Sequence, residues 1–494
     1  QYAKVRFTSM RRHTLSLRLL KGYLWQPYTF FLNRNSYEFV KNINGEIAQM
    51  ITGTFIQFLD FISQLIQVIF LTAFLFAVNP KNTLGIVIIV GLVYGVIYYF
   101  VRRKIHRIGV ERFELNAMRS RIVSEVFWGI KEVKILGVES VFADEYIEPS
   151  KRLAKNESSS ELIGDIPKFA LETAAFSAIM AFVLITILKT GIFQNAAASV
   201  TLYAYAGYRM IPQVQGLFKS LTKLRYSAPT ADRIYAEFET VSNARPLQRK
   251  AVARMPYEKS IDLENIVFTY PNVDYPVING ISLLIPANSL IGFAGKTGSG
   301  KTTLVDIILG LLEPQGGKLM IDGVPVTETN IRSWQANIGY VPQNIYLSND
   351  TIAKNIAFGV SRDQIDIDAV KKAAELAQID EFIMTELNKG YETKIGERGI
   401  RLSGGQRQRI GIARALYRNP SVLVMDEATS ALDSHTEEAV MEAVEKLHGT
   451  KTIILIAHRL TTLRNCNTIF YMEKGKIRDS GSLEELKERN PYFK

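Results

Sequence analysis

The chain has 494 residues, of which 47% are hydrophobic, and its 59 Lys and Arg outnumber 48 Asp and Glu for a formal net charge of +11. That length allows two or three domains, and a mean hydropathy of +0.05 is high for a soluble enzyme and low for an all-membrane protein, as expected of a chain that is half of each. Cys466 is the only cysteine, which excludes intramolecular disulfides and Cys-rich metal sites.

The first stretch, residues 1–51, is basic and amphipathic, with Arg11, Arg12, Arg18 and Lys21 set among aliphatics. It reads as a helix leaving a membrane into cytosol and breaking at Pro27, and the aromatic segment Trp25–Tyr37 reads as a short docking helix. The chain begins at Gln1 without a signal peptide, as a fragment would. Four apolar runs follow: Phe55–Val78, Leu84–Val101, Phe169–Leu188 and a weaker one from Ala196 to about Phe218 that holds Arg209 and Pro212. A membrane span needs about 20 mainly apolar residues, so these are four candidate spans. The connectors Asn79–Thr83 and Lys189–Asn195 are short, whereas the segment from Arg102 to Asp165 is long and basic. Lys and Arg collect on the cytoplasmic side of spans, which places the long segment there and accounts for the charge excess without nucleic acid. Gly129–Gly137 interrupts the helical pattern of that segment, and two helices joined by a short contact helix near Phe127–Leu136 are predicted.

Polar residues inside spans are costly and therefore informative. Gln57, Asp60, Gln64 and Gln67 are spaced by three, four and three, which puts them on one helical face. Such a face lines a hydrated path or makes interhelical hydrogen bonds, and the sequence leaves both open. Lys168 and Glu172 form an i,i+4 pair that reads as an internal salt bridge. Arg209 either neutralises Glu172 or meets an anionic substrate.

Residues 219–260 are a polar junction, and from Ile261 the pattern becomes α/β. Tyr270 ends an alternating strand and is a candidate to stack on a base. Leu290–Ala294 is an apolar run that delivers the chain to Gly295, Lys296, Thr297, Gly298, Ser299, Gly300, Lys301 and Thr302, a match to G-x-x-x-x-G-K-[ST]. The glycines let backbone N–H groups turn inward on phosphate, Lys301 adds a point charge, and the Thr302 hydroxyl is offered to Mg²⁺ at a helix N-terminus, with Thr303 next in line. Ile321-Asp322-Gly323 marks a hairpin. Gln343, after Val341-Pro342, is a candidate contact for Mg²⁺ and attacking water. Leu402-Ser403-Gly404-Gly405-Gln406 places small residues at another helix N-terminus, a second phosphate site that one nucleotide does not need from one chain and that suggests a sandwich between subunits. The strand Val422–Met425 ends in Asp426, a water-mediated Mg²⁺ ligand, and Glu427, placed to polarise water. Ser430–Asp433 follows, and the strand Thr452–Ala457 ends at His458, which is placed to contact a γ-phosphate.

Together these motifs resemble the ATP-binding cassette of ABC transporters. Gly295–Thr302 matches its Walker A motif, Gln343 its Q-loop, Leu402–Gln406 its signature, Asp426 and Glu427 its Walker B pair, Ser430–Asp433 its D-loop, His458 its H-loop and Tyr270 its adenine-stacking loop, while Glu397-Arg398-Gly399 matches the segment set against the membrane domain. Helices preceding the cassette resemble an exporter-type half-transporter. The implied fold is an α-helical transmembrane domain (residues 1–240), with four spans that fit the last four of six and two N-terminal spans missing, followed by an α/β P-loop cassette (residues 241–494). The resemblance implies ATP and Mg²⁺, catalysis by Glu427, His458 and Gln343, and a homodimer with ATP sandwiched between Walker A of one subunit and signature of the other. It also implies a multi-pass inner-membrane protein with a cytoplasmic cassette, coupling helices at Trp25–Tyr37 and Phe127–Leu136, and an amphiphilic or lipid-linked substrate in contact with the bilayer, without nucleic acid. Within exporters, Thr303–Leu312, Val341–Leu347, Pro167–Glu172 and Tyr208–Pro212 are similar to bacterial lipid-linked oligosaccharide flippases. Exporters of other lipids, drugs or peptides are the alternative reading, and a soluble or regulatory cassette ATPase is the alternative of another class.

Overall fold

The computed structural model describes residues 2–78, 80–190, 194–242, 253–271, 273–396, 399–428, 434–457 and 459–493. The chain divides into two compact units, Gln1–Gln248 and Arg249–Lys494.

The first unit is all helix. α1 (Tyr2–Leu24) stops before Pro27, and a short α2 (Tyr28–Leu32) follows it. α3 runs over Ser36–Val78 and passes through two π-helical stretches, Asn42–Glu46 and Ile51–Phe55. α4 (Pro80–Trp128) starts on a proline, whose missing N–H costs nothing in the first turn. The short α5 (Ile130–Leu136) begins after Gly129 and is closed by Gly137 in the left-handed conformation at φ 65°. The interruption at Gly129–Gly137 is thus a helix boundary at each end. α6 (Glu139–Thr190) and α7 (Gln194–Ser242) complete the unit, with Pro212 and Pro229 inside α7.

The expected count of four spans, as the last four of six, is not supported. Among the described residues, Ser36–Val78 and Thr83–Trp128 are the two helices long and apolar enough to cross a membrane. The helices also run far beyond the apolar runs that suggested them. Counting apolar runs finds only continuously lipophilic stretches, whereas α1 joins the bundle by burying one face. Leu19 and Tyr23 pack there with Ile47, Ile51, Ile234 and Val241. α7 packs along α3, α4 and α6. Close approach of α4 to α7 requires Gly109, where a Cβ would lie 2.3 Å from the carbonyl oxygen of Tyr226.

Polar side chains stitch this unit together. Lys4 pairs with Asp60, and Ser220 donates to Gln64 at 3.3 Å, so two members of the polar face on α3 make interhelical bonds. Glu46, with no solvent exposure, accepts from Arg112 at 3.0 Å and from Asn116 at 2.6 Å. Arg112 also donates to Thr230 at 3.0 Å, so this cluster ties α3, α4 and α7. Lys168 lies 4.0 Å from Glu172 within α6. Arg209 donates to Tyr205 at 3.3 Å and sits over its ring.

The second unit is an α/β domain with two sheets. β1 (Ser260–Phe268), β2 (Ile278–Pro286), β4 (Gly316–Ile321) and β5 (Val324–Pro325) form an antiparallel sheet in the order β2-β1-β4-β5. Asp322 and Gly323, at φ 50° and 79°, make the β4–β5 hairpin turn, as Asp-Gly does in two-residue hairpins. The other sheet holds β3 (Leu290–Ala294), β6 (Ile338–Val341), β7 (Val422–Asp426), β8 (Thr452–Ile456), β9 (Thr468–Glu473) and β10 (Lys476–Gly481) in the order β10-β9-β3-β8-β7-β6. All neighbours in it are parallel except β10, which pairs antiparallel with β9. Every residue of β3, β7 and β8 is buried, as unbroken apolar runs require when both faces of a parallel sheet are covered. Helices α8 (Lys301–Ile308), α9 (Ile331–Gln335), α10 (Ile352–Ile356), α11 (Ile367–Leu376), α12 (Asp380–Thr385), α13 (Gly404–Tyr417), α14 (Ser434–Glu445) and α15 (Leu483–Arg489) fill in around the sheets. Trp334 of α9, fully buried, donates its indole N–H to Ile308 O at 2.7 Å and satisfies a carbonyl at the end of α8.

Candidate functional site

Because β3, β7 and β8 are parallel neighbours, their C-terminal ends open on one edge of the sheet. In open parallel sheets this edge is where ligands bind. The loop 295–300 leaves β3 there. Gly295, Gly298 and Gly300 have φ of 145°, 79° and 102°. At Gly295 a Cβ would also stand 2.3 Å from the carbonyl oxygen of Met472, so the loop is folded tightly against β9. Lys296, Thr297 and Gly298 are exposed at the loop's crown, and Ser299 and Gly300 are buried at its base. The Ser299 hydroxyl is a buried polar atom with no protein partner. Such a group within a phosphate-type loop fits a ligand oxygen.

Lys301 opens α8 and turns back over the loop. Its ammonium donates to Gly295 O at 2.7 Å and to Lys296 O at 3.2 Å. Burial holds its pKa below the ordinary lysine value, and the charges of Glu427 and Asp426 partly offset that. A cation held among carbonyls in this way is poised to exchange them for phosphate. Thr302 is exposed on the first turn of α8, while Thr303 is buried and shares a 3.1 Å hydrogen bond with the Tyr270 hydroxyl. Tyr270 packs edge-on against Phe268, with ring centroids 5.0 Å apart. Burial raises its pKa.

At the end of β7, Asp426 is 7% exposed. Glu427 adopts the left-handed conformation at φ 47°, and its N–H donates to Ile456 O at 3.0 Å. A non-glycine residue there carries backbone strain, and here the strain turns a carboxylate out of the buried strand at the site edge. Gln343, in the loop after β6, donates its side-chain N–H to Glu427 Oε2 at 2.7 Å. The structure therefore brings together Gln343 and Glu427, and it also brings together Lys301, Asp426 and Glu427 by charge.

Ser403 caps α13, its hydroxyl accepting from Gln406 N at 3.2 Å while Gln406 Oε1 accepts from Ser403 N at 2.8 Å. This reciprocal capping box aims Gly404 and Gly405 along the first turn of a helix that packs on β6, α10 and α11. His458, Ser430–Asp433, Glu397 and Arg398 lie outside the described residues.

One residue near the site was not singled out from the sequence. Asp306 on α8 has its pKa raised to about 6, first by burial and then by the charge of Asp426. Its position four residues after Thr302, on the same helical face, was the available signal. Oxygen donors at Thr302 and Asp426 are the hard ligands Mg²⁺ takes, and with the glycine cradle and Ser299 they fit a metal-bound triphosphate.

Comparison with known proteins agrees with this geometry. The family model described as ABC transporter transmembrane region matches residues 5–205, and the one described as ABC transporter matches residues 278–430. The chain is 31% identical over 492 residues to an ATP-dependent lipid A-core flippase of Saccharophagus degradans, covering 98% of this chain and 80% of that protein. It is 29% identical over 476 residues to the ATP-dependent lipid A-core flippase of Burkholderia orbicola, covering 96% of this chain and 78% of that one. The fold is also that of a bacterial Atm1-family ABC exporter solved with ATP bound, at a TM-score of 0.84 and 24% identity over 99% of this chain and 84% of that chain. These relatives are lipid A-core flippases, not the lipid-linked oligosaccharide flippases that the sequence motifs favoured.

Proposed function

The chain belongs to the ABC transporter family as an ATP-driven exporter, and from that premise we propose that it flips a lipid with a phosphate-bearing, glycosylated headgroup, as the lipid A-core relatives do, across the inner membrane. The observation that carries the ATPase half is the convergence, on one sheet edge, of the 295–302 loop, Asp426 and the Gln343–Glu427 hydrogen bond of 2.7 Å. In this reading the cassette, residues 241–494, lies in the cytoplasm and the preceding helices in the bilayer.

The residues act by positioning and charge neutralisation, since phosphoryl transfer leaves little covalent chemistry for the protein. Lys301 leaves the loop carbonyls for the β- and γ-phosphates, whose oxygens take the N–H groups of residues 295–303. Tyr270 supports the adenine end. Thr302, Gln343 and, through water, Asp426 would hold Mg²⁺, which would supply neutralisation of phosphate charge. Glu427 accepts a proton from the attacking water, and His458 contacts the γ-phosphate and orients that water. Gln343 holds one carboxylate oxygen of Glu427 before ATP arrives, which orients the carboxylate at the site edge.

Ser403, Gly404, Gly405 and Gln406 face the nucleotide of a second copy. The exposed cap of α13 supports this homodimer reading, because one chain has one phosphate loop and one such cap. Arg209, exposed beside Tyr205 and Tyr208, is available to a headgroup phosphate.

The test uses the protein in proteoliposomes with a labelled glycosylated phospholipid in one leaflet. ATP-dependent loss of label that disappears in Glu427→Gln supports the reading. Vigorous ATP hydrolysis without movement of lipid would retain the exporter and discard this substrate.

A further inference from the structure

We propose that the outer face of α4 is a binding site for an anionic phospholipid, resident beside the transporter rather than carried by it. The site has an apolar half and a charged half on one helical stripe. Gly91, Leu92, Gly95, Val96, Tyr99 and Phe100 line a groove of about 390 Å³. Its floor is the pair of glycines, where a Cβ would meet no heavy atom within 4 Å. Its walls are exposed, with Leu92 at 62%, Tyr99 at 61% and Phe100 at 75%. A mainly apolar groove on a helix apolar enough to span a membrane fits an acyl chain.

The stripe continues into charge. Positions 91, 95, 99, 102–103 and 106 recur at i+4 and i+3 to i+4, so Arg102 and Arg103 share the face of the groove. The Arg102 guanidinium lies 4.9 Å from the Tyr99 ring centroid, which fixes it directly over the groove's end. Arg103 and Lys104 are exposed. Among the described residues, Arg102, Arg103 and Lys104 make no ion pair, whereas Glu111 further along α4 is held by Arg152 and Asn156. At 1.5 Å per residue, Gly95 to Arg103 spans about 12 Å, a reach that one lipid molecule bridges from acyl chain to phosphate. Unpaired cations beside an apolar groove complement a lipid phosphate. A helix seated on the two glycines is the other occupant the test distinguishes; the row of exposed cations at the groove's end favours the lipid phosphate.

The experiment counts bound lipid by native mass spectrometry on the purified full chain, without nucleotide, titrated with phosphatidylglycerol or phosphatidylcholine. Wild type is expected to retain phosphatidylglycerol about tenfold over phosphatidylcholine. Arg102→Gln with Arg103→Gln should abolish that preference while the double lysine variant keeps most of it, and Gly95→Leu should lower retention of both lipids. Because Arg103 is exposed, Arg103→Gln alone gives a folded variant in which at least a threefold loss of preference is expected. Equal retention of both lipids by wild type overturns the proposal. So does a preference unchanged in the double glutamine variant, or a Gly95→Leu variant that separates copies of the chain while its lipid count stays the same. None of these readings depends on which lipid is transported.

Discussion

Removing the Glu46 carboxylate is expected to destabilise the helical unit by about 3–5 kcal/mol, the cost of leaving one partner of a buried ion pair uncompensated. The structure sets that expectation. Glu46 is 0% exposed, and Arg112 is 8% exposed. Arg112 reaches Glu46 at 3.0 Å, and its one other hydrogen-bond partner shown is the neutral hydroxyl of Thr230 at 3.0 Å. In Glu46→Ala the guanidinium stays buried with that hydroxyl alone, and Asn116 loses its acceptor at 2.6 Å. Glu46→Gln keeps an acceptor and should cost less, about 1.5–3 kcal/mol for a charged hydrogen bond. Glu46→Leu with Arg112→Met removes both charges together and should recover most of the loss. The assay is an unfolding titration in mixed micelles followed by circular dichroism, run as a double-mutant cycle. A Glu46→Ala loss below about 1 kcal/mol, or two single losses that simply add in the double variant, would refute the reasoning, since partners in contact should couple by at least about 0.5 kcal/mol.

Other outcomes follow from the cassette. Glu427→Gln should keep ATP binding but lose turnover by about 10²–10⁴-fold, the usual worth of a general base; substantial remaining hydrolysis in a phosphate-release assay would remove Glu427 from that role. Gly295→Ala should weaken ATP binding at least tenfold by equilibrium dialysis, because its Cβ would lie 2.3 Å from Met472 O; unchanged affinity would mean the loop relaxes freely. The pKa of Asp306 is raised to about 6, so the stability it contributes is complete below the ordinary carboxyl value and is lost as pH rises through 6. Asp306→Asn should therefore gain on wild type in thermal midpoint between pH 4 and pH 7, and parallel curves would count against a buried carboxyl there. Ser403→Ala should cost about 1 kcal/mol by removing the α13 cap, read as a shift of the urea midpoint.

The amino-acid sequence by itself determined what depends on local pattern. The phosphate loop, the capping box at Ser403, the apolar strands and the break at Gly129–Gly137 all follow from residue type and spacing, because turns, caps and periodicity are set within a few neighbours. The breaks at Pro27 and Gly129–Gly137 were legible for the same reason, whereas the connector read at Asn79–Thr83 is already helical from Pro80. Only the tertiary structure decided what depends on distant partners. It gave Asp60 to Lys4 and Gln64 to Ser220, and it buried Glu46 against Arg112 across 66 residues of sequence. It brought Gln343 to Glu427 across 84 residues and set Asp306 in the field of Asp426. It also showed α1 as part of the bundle, which run-counting could not find, because a helix that buries one face needs no continuous apolar stretch. A side chain's type states which bonds it can make, and the fold alone states which of them are within reach.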